Sequence, residues 1–167
     1  MITFSDTTFK LAELVVSTSL KKEIKIAGAE SCTGGLISAA ITAIPGSSKV
    51  FEFCVASYSN LAKNLILDVS PEIISKYGAV SSEVAIEMAK GVNKIYQSDI
   101  VFAVTGIAGP EGGSKVKPVG TVFIAISNDI KKPNKINVFD EHFDGNRAAV
   151  RIKTVDFVLE KILIYLS

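Results

Sequence analysis

The chain of 167 residues has no tryptophan, one histidine and two cysteines. A single histidine, His142, cannot build a histidine-based metal site. Its place in the polar stretch "DEHFD" also makes a Ser-His-Asp triad hard to assemble, and a surface position is expected for it. Cys32 and Cys54 are too few for a disulfide framework and sit in no zinc-ligand spacing, so a reducing, cytoplasmic setting is expected. An excess of either charge is missing too: 18 Lys and Arg face 17 Asp and Glu, a formal net charge of +1. That balance leaves no basic footprint for nucleic acid. Long apolar runs are also absent. The amphipathic segment from Met1 to Leu20 is interrupted by Asp6, Lys10 and Glu13, so it reads as neither a targeting segment nor a membrane span. No metal and no cofactor is called for.

What is present is core-forming material, 48% hydrophobic against 21% charged, which suits one domain over residues 1–167. "TTFKLAELVVSTSLK" spaces Phe9, Leu11, Leu14, Val15 and Leu20 as the inner face of a first helix. "KIAGAE" reads as a short strand and "TGGLISAAITAI" as a helix stopped by Pro45 and Gly46. "VFEFCVASYS" is a second strand, "NLAKNLIL" a short helical turn, and "SPEIISKYG" a Ser-Pro entry closed by Gly78. "SSEVAIEMAKGVNKIYQ" is a helix capped by Ser81, with Val84, Ile86, Met88, Ala89 and Val92 inward. "DIVFAVTG" is apolar almost throughout, the pattern of a strand buried on both faces. A glycine- and proline-rich loop, "IAGPEGGSKVKPVG", leads to strands "TVFIAIS" and "KINVFDEHF" and a long closing helix. The alternation predicts a three-layer α/β domain with a mixed, mostly parallel sheet. Hairpin-like steps near residues 46–50 and 128–135 are expected to give antiparallel pairs. Loops after parallel strands gather in one cleft, so "GAESCTGG" and "TGIAGPEGG" should face each other.

"GAESCTGG" (residues 28–35) places a hydroxyl, a thiol, a second hydroxyl and two glycines where a strand becomes a helix. Three readings compete: a helix cap, a phosphate cradle, or a nucleophile. Ser31 fits a cap. Yet Gly34 and Gly35 each cost a helix roughly 1 kcal/mol relative to alanine, which is better tolerated where something must approach the backbone. Amides near Gly34 and Gly35 would then suit an oxyanion or a phosphate. A base for Ser31 has to come from elsewhere. Lys63 in "YSNLAKN", with Tyr58 five residues earlier, is either a solvated surface charge or a desolvated amine able to take a proton. "TGIAGPEGG" is neither a Walker A loop nor a GxGxxG fingerprint, but Thr105, Gly106 and Gly109 can offer amides and a hydroxyl to an anion. Arg147 and Arg151 share a face of the last helix. They pair with acids such as Asp144 or Glu141, or grip a phosphate.

Several segments together, "AESCTGG", "IPGSSKVFEFCVASYSNLAKNLIL", "YGAVSSEVAIEMAKG", "AVTGIAGPEGG" and "KPVGTVFIAI", resemble the carboxy-terminal domain of the competence/damage-inducible CinA proteins. That family includes stand-alone nicotinamide mononucleotide deamidases. The resemblance runs over roughly residues 7–163. It implies an α/β/α sandwich with a mixed five-stranded sheet and an amidohydrolase that needs no metal. The implied substrate is a small-molecule nucleotide, nicotinamide mononucleotide, released as nicotinate mononucleotide and ammonia; a homo-oligomer is also implied. By motif, Ser31 is the nucleophile, Tyr58 and Lys63 activate it, and Thr33, Gly34, Gly35, Thr105, Gly106 and Arg147 belong to the substrate cleft. One position departs: Asn146 stands where the family usually has aspartate. Asparagine keeps a helix cap but loses any ion pair to Arg147. The larger amino-terminal domain of two-domain members does not fit within these residues, so its phosphohydrolase chemistry is not carried over. Two alternatives stay open, an amidase for another small amide and a non-catalytic binding protein of the same fold.

Overall fold

The structure, a computed structural model, describes residues 3–128 and 135–167. In chain order the elements are α1 (Asp6–Lys22), β1 (Ile26–Glu30), α2 (Leu36–Thr42), β2 (Phe51–Ala56), α3 (Asn60–Leu67), α4 (Pro71–Tyr77) and α5 (Ser82–Ile95). They continue as β3 (Ile100–Gly106), β4 (Thr121–Ser127), β5 (Ile136–His142) and α6 (Arg147–Leu166). Serines start four of the helices. Ser5, Ser59, Ser70 and Ser81 each accept a backbone N–H from three residues on, satisfying an amide the helix itself leaves open.

The five strands form one sheet in the order β2-β1-β3-β4-β5. β1 pairs parallel with β2 and β3, while β4 is antiparallel to both β3 and β5. Only β4 therefore runs against the others, and the sheet is mixed and mostly parallel in strand direction. Strand alternation sorts side chains by size between its two faces. Ile26, Phe102, Val104, Val122, Ile124 and Ile126 pack towards α1, α2 and α6. Ala27, Ala29, Val101, Ala103 and Ala125 meet α5 and α3. Small side chains on that second face let α5 lie close to the sheet. Gly28 neighbours Phe102 across the β1–β3 pair, and a Cβ there would come within 2.3 Å of the Phe102 ring.

The 46–50 step and the inner face of α1 differ from the sequence expectation, while the pairing expected around residues 128–135 is found. The step at residues 46–50 is no hairpin: a 3-10 turn, Ser47–Lys49, feeds β2, which pairs parallel with β1. The expected step at 128–135 falls largely on residues 129–134, outside the described residues, and the flanking strands β4 and β5 do pair antiparallel. In α1, Phe9 and Leu14 are 43% and 53% exposed, and Leu20 is also outside. The inward face is Thr8, Ala12, Val15, Val16 and Ser19. Those smaller side chains suit close packing against α6, where Thr8 donates to Asp156 at 2.6 Å. The α5 face is as expected, except that Ile86 is half-buried and Ala85 and Gly91 turn inward.

Gly91 is where α5 touches the end of α3: a Cβ would stand 2.2 Å from the Leu67 carbonyl oxygen. Gly91→Ala is expected to overpack this contact and cost about 1–3 kcal/mol, read as a lower urea midpoint at unchanged slope. A midpoint equal to the parent's would show that α3 is not seated through this contact.

Candidate active site

Past Glu30 the chain turns through five residues before α2 begins. Ser31 N–H still donates to the Val104 carbonyl at 3.0 Å, so the serine is the last residue tied to the sheet. The turn closes when Gly34 N–H donates to the Ser31 carbonyl at 3.1 Å. Gly34 and Gly35 have φ of 59° and 93°, a left-handed pair that side chains resist. This geometry, rather than helix continuity, accounts for the two glycines.

The acid that sequence reasoning left without a role is the organiser of the turn. Glu30 is fully buried and accepts from Gly35 N at 2.9 Å, Ile37 N at 3.2 Å, Ser38 N at 2.8 Å and Ser38 Oγ at 2.6 Å. Three of the open amides at the start of α2 thus end on one carboxyl group, which also suits the positive end of the helix. The only sequence signal was an acid directly before a run of small residues opening a helix. The expectation that amides near Gly34 and Gly35 serve an oxyanion or phosphate is corrected: Gly34 N–H is spent on Ser31 and Gly35 N–H on Glu30.

Lys63 is the base-like group. It lies on the inner face of α3 beside Leu67, one turn on, and is 1% exposed. Its Nζ stands 2.9 Å from Ser31 Oγ, 2.8 Å from the Ser57 carbonyl and 3.5 Å from the Tyr58 carbonyl. Among the described residues no carboxylate pairs with it. Burial pulls the amine below its ordinary 10.5, since a charged amine loses its hydration here. The surface-charge alternative for Lys63 is thereby excluded.

Tyr58 is brought to the site differently from the expectation. Its phenol accepts from Arg147 Nη2 at 2.8 Å, not from the Ser31–Lys63 pair, and the residue is 60% exposed. Arg147 Nη1 donates to the Gly109 carbonyl at 2.8 Å, so one guanidinium joins the β2–α3 and β3–β4 connections. Arg151 donates to the Thr33 carbonyl at 2.6 Å. Neither arginine pairs with an acid among the described residues; Asp144 lies instead 3.3 Å from His142. Asn146 caps α6, accepting from Ala149 N at 3.0 Å, so the departure from aspartate preserves the cap.

Thr33 and Thr105 do not offer hydroxyls to the cleft. Both are buried; Thr105 Oγ1 donates to the Ala79 carbonyl at 2.7 Å, and Thr33 Oγ1 has no partner among the described residues. Gly106 lies beneath the turn, where a Cβ would come within 3.1 Å of Cys32 Sγ. Cys32 is itself core: burial pushes its thiol up to about 12, which removes the thiolate a cysteine nucleophile requires. Among the described residues no group of three or more His, Cys, Asp or Glu side chains is placed to hold a metal ion. None of the described helices is long and apolar enough to cross a membrane.

The CinA C-terminal domain family model matches residues 8–166. A CinA-like protein of Fervidobacterium nodosum is 49% identical over 142 residues, covering 85% of this chain and 34% of the relative. A CinA-like protein of Prochlorococcus marinus is 43% identical over 152 residues, covering 91% of this chain and 35% of the relative. The chain thus spans about a third of the length of these curated relatives. The crystal structure of competence/damage inducible protein CihA from Agrobacterium tumefaciens superposes with a TM-score of 0.92 at 35% identity, over 100% of both chains.

Because Glu30 takes three backbone amides, the Ser38 hydroxyl and the Cys54 thiol, Glu30→Gln would turn an amide NH2 towards backbone N–H groups. A loss of about 2–4 kcal/mol is expected, measured by urea denaturation. A loss below about 1 kcal/mol would mean that the turn holds without this carboxyl.

Proposed function

The chain belongs to the CinA C-terminal domain family, and on that premise we propose that it is a serine amidohydrolase converting nicotinamide mononucleotide to nicotinate mononucleotide and ammonia. The observation that carries the reading is the buried Lys63 amine 2.9 Å from Ser31 Oγ. A neutral amine has two hydrogens and one lone pair. The hydrogens suit the carbonyls of Ser57 and Tyr58 at 2.8 and 3.5 Å; the lone pair is then left for the serine hydroxyl. This is the Ser-Lys form of the nucleophile-and-base arrangement.

In this mechanism Lys63 takes the Ser31 proton as Oγ bonds to the carboxamide carbon. The resulting ammonium returns that proton to the amide nitrogen, the C–N bond breaks, and ammonia leaves. Water, losing its proton to Lys63, cleaves the ester to the carboxylate and restores Ser31. The oxyanion needs donors close to Ser31. With the amides of Gly34 and Gly35 engaged, the remaining turn amides are those of Cys32 and Thr33, which face the Cys32 thiol and would have to turn from it to the oxyanion. One well-placed donor of this kind is worth roughly 3–4 kcal/mol in the transition state. Tyr58 contributes its carbonyl to Lys63 and its phenol to Arg147, and so shapes the wall of the cleft.

Ser31→Ala is expected to abolish ammonia release from nicotinamide mononucleotide in a coupled assay without added metal, with the melting transition retained. Undiminished release would end the assignment of Ser31.

The pH dependence follows from the direction of the Lys63 shift. A base must be deprotonated, so kcat/KM should rise with pH along a limb whose midpoint lies below 10.5. Stability has the same sign: between the lowered folded value and 10.5 the unfolded chain binds more protons, so this group's contribution rises with pH. Lys63→Met should remove the activity and stabilise the protein near neutral pH, with an advantage that shrinks as pH approaches 10.5. A Lys63→Met protein less stable than its parent at neutral pH would show that the amine is not held against its hydration.

A further inference from the structure

On the α5 face of the sheet, strand alternation sets Ser31, Thr105 and Phe123 in one row. Ser31 follows the Glu30–Val104 pair of β1 and β3, and Thr105 pairs with Phe123 across β3 and β4. The connection from α4 to α5, residues 78–81, runs beside this row and is tied to it by two side chains. Thr105 Oγ1 donates to the Ala79 carbonyl at 2.7 Å. Lys117 Nζ donates to the Tyr77 carbonyl at 3.0 Å and the Val80 carbonyl at 2.6 Å, and lies 5.8 Å from the centre of the Phe123 ring. Tyr77 is the last residue of α4, where open carbonyls favour a cation. Among the described residues no carboxylate pairs with Lys117.

Lys117 reaches this position from the β3–β4 loop. Residues 110–116 of that loop are exposed, Val116 by 86%, so apolar burial does not anchor the arm. The turn from Ser114 to Lys117 instead closes on itself: Ser114 N–H donates to the Lys117 carbonyl at 2.8 Å, and Lys117 N–H donates to Ser114 Oγ at 3.0 Å. The lysine side chain is thereby aimed at the connection and pins the loop to it. Its Nζ makes no hydrogen bond to Ser31 or Lys63 among the described residues. The Ser31 and Phe123 positions are two strands apart, about 10 Å. We propose that Lys117 is a positioning residue for amide hydrolysis: by pinning the α4–α5 connection over Thr105, beside Ser31, it fixes the wall against which the carboxamide of the substrate is aligned. The role in hydrolysis rests on the amidohydrolase reading; the pin itself does not. A displaced wall leaves the Ser31–Lys63 pair intact and misaligns only the substrate, so the loss falls mainly on kcat.

Lys117→Met keeps the length of the side chain and removes its donors, whereas Lys117→Arg keeps donors for both carbonyls. Three quantities are compared with the parent: kcat and KM for nicotinamide mononucleotide, the rate at which a small fluorophosphonate labels Ser31, and hydrogen exchange over residues 77–81 by mass spectrometry. Lys117→Met is expected to lower kcat by about tenfold or more, with Ser31 labelling within about twofold of the parent. Exchange should quicken over residues 77–81 and stay unchanged in the strands. Lys117→Arg should recover most of the lost kcat. Undiminished turnover in Lys117→Met overturns the proposal. So does a fall in labelling that matches the fall in kcat, which marks a damaged fold or nucleophile. A loss confined to KM would make Lys117 a binding group, and unchanged exchange over residues 77–81 would separate it from the connection; either overturns the proposal as well. Failure of the parent to release ammonia would defeat the amidohydrolase reading alone, and the exchange comparison would then decide whether the pin holds.

Discussion

The site depends on one buried contact, the Lys63 amine against the Ser31 hydroxyl. Withdrawing an ammonium from water is costly, and carbonyl oxygens replace its hydration only in part. Other lysines of the chain show the opposite environment. Lys25 and Lys94 are paired with Glu52 and Asp68, and these carboxylates raise their proton affinity. Lys63 has two carbonyls and a hydroxyl around it, and burial lowers its affinity. The packing that produces this state lies outside the site. Ser59 fixes where α3 begins, Asp68 ends it in the left-handed region, and Gly91 lets α5 press against Leu67. Lys63 has its reach because α3 has no freedom to draw back.

Glu30 imposes a second constraint, and it decides where charge can act. A helix start beside a nucleophile commonly serves as the electrophilic wall of a site. Here that wall is consumed internally, since one buried carboxyl group binds Gly35, Ile37 and Ser38. The benefit is a rigid turn: Ser31 is held by the sheet at its amide and by Gly34 at its carbonyl. The consequence is that the amides at the start of α2 are not free to meet a ligand. Arg147 and Arg151 are the cations on the facing helix, and neither is neutralised by an acid among the described residues.

Much of this was legible in the residues. Strand and helix alternation gave the layers, and "DIVFAVTG" was recognisably a central strand because it lacks any polar alternation. Ser31 and Lys63 could be paired by the resemblance, though not by spacing, since 32 residues separate them and only the parallel β1–β2 register brings them together. Glu30 was unreadable for a physical reason. A lone glutamate among small residues is usually solvated, and its burial follows from amides that exist only once α2 has formed. The inner face of α1 was misassigned because periodicity weighs side-chain size, whereas close packing against α6 favours Thr8, Ala12 and Ser19 over Phe9 and Leu14. The resemblance placed Tyr58 beside the serine as an activating partner, whereas its phenol extends outward to Arg147.

In the proposed reaction, the choice of serine over the adjacent thiol also follows from the sheet. β1, β2 and β3 run parallel, so their carboxyl ends deliver Ser31, the Ser57–Tyr58 carbonyls and Gly106 to one edge. At the end of β1, successive side chains point to opposite faces. Ser31 turns towards the α3 face and meets Lys63; Cys32 turns towards the α2–α6 face and joins that core, under Gly106. The thiol there lies in the α2–α6 core and is held protonated by burial, pushed up to about 12. An intrinsically poorer nucleophile with a base at 2.9 Å is therefore better placed than an intrinsically better one without a base. In the proposed reaction, alternation along a single strand, more than the chemistry of either side chain, gives the nucleophile's place to the hydroxyl.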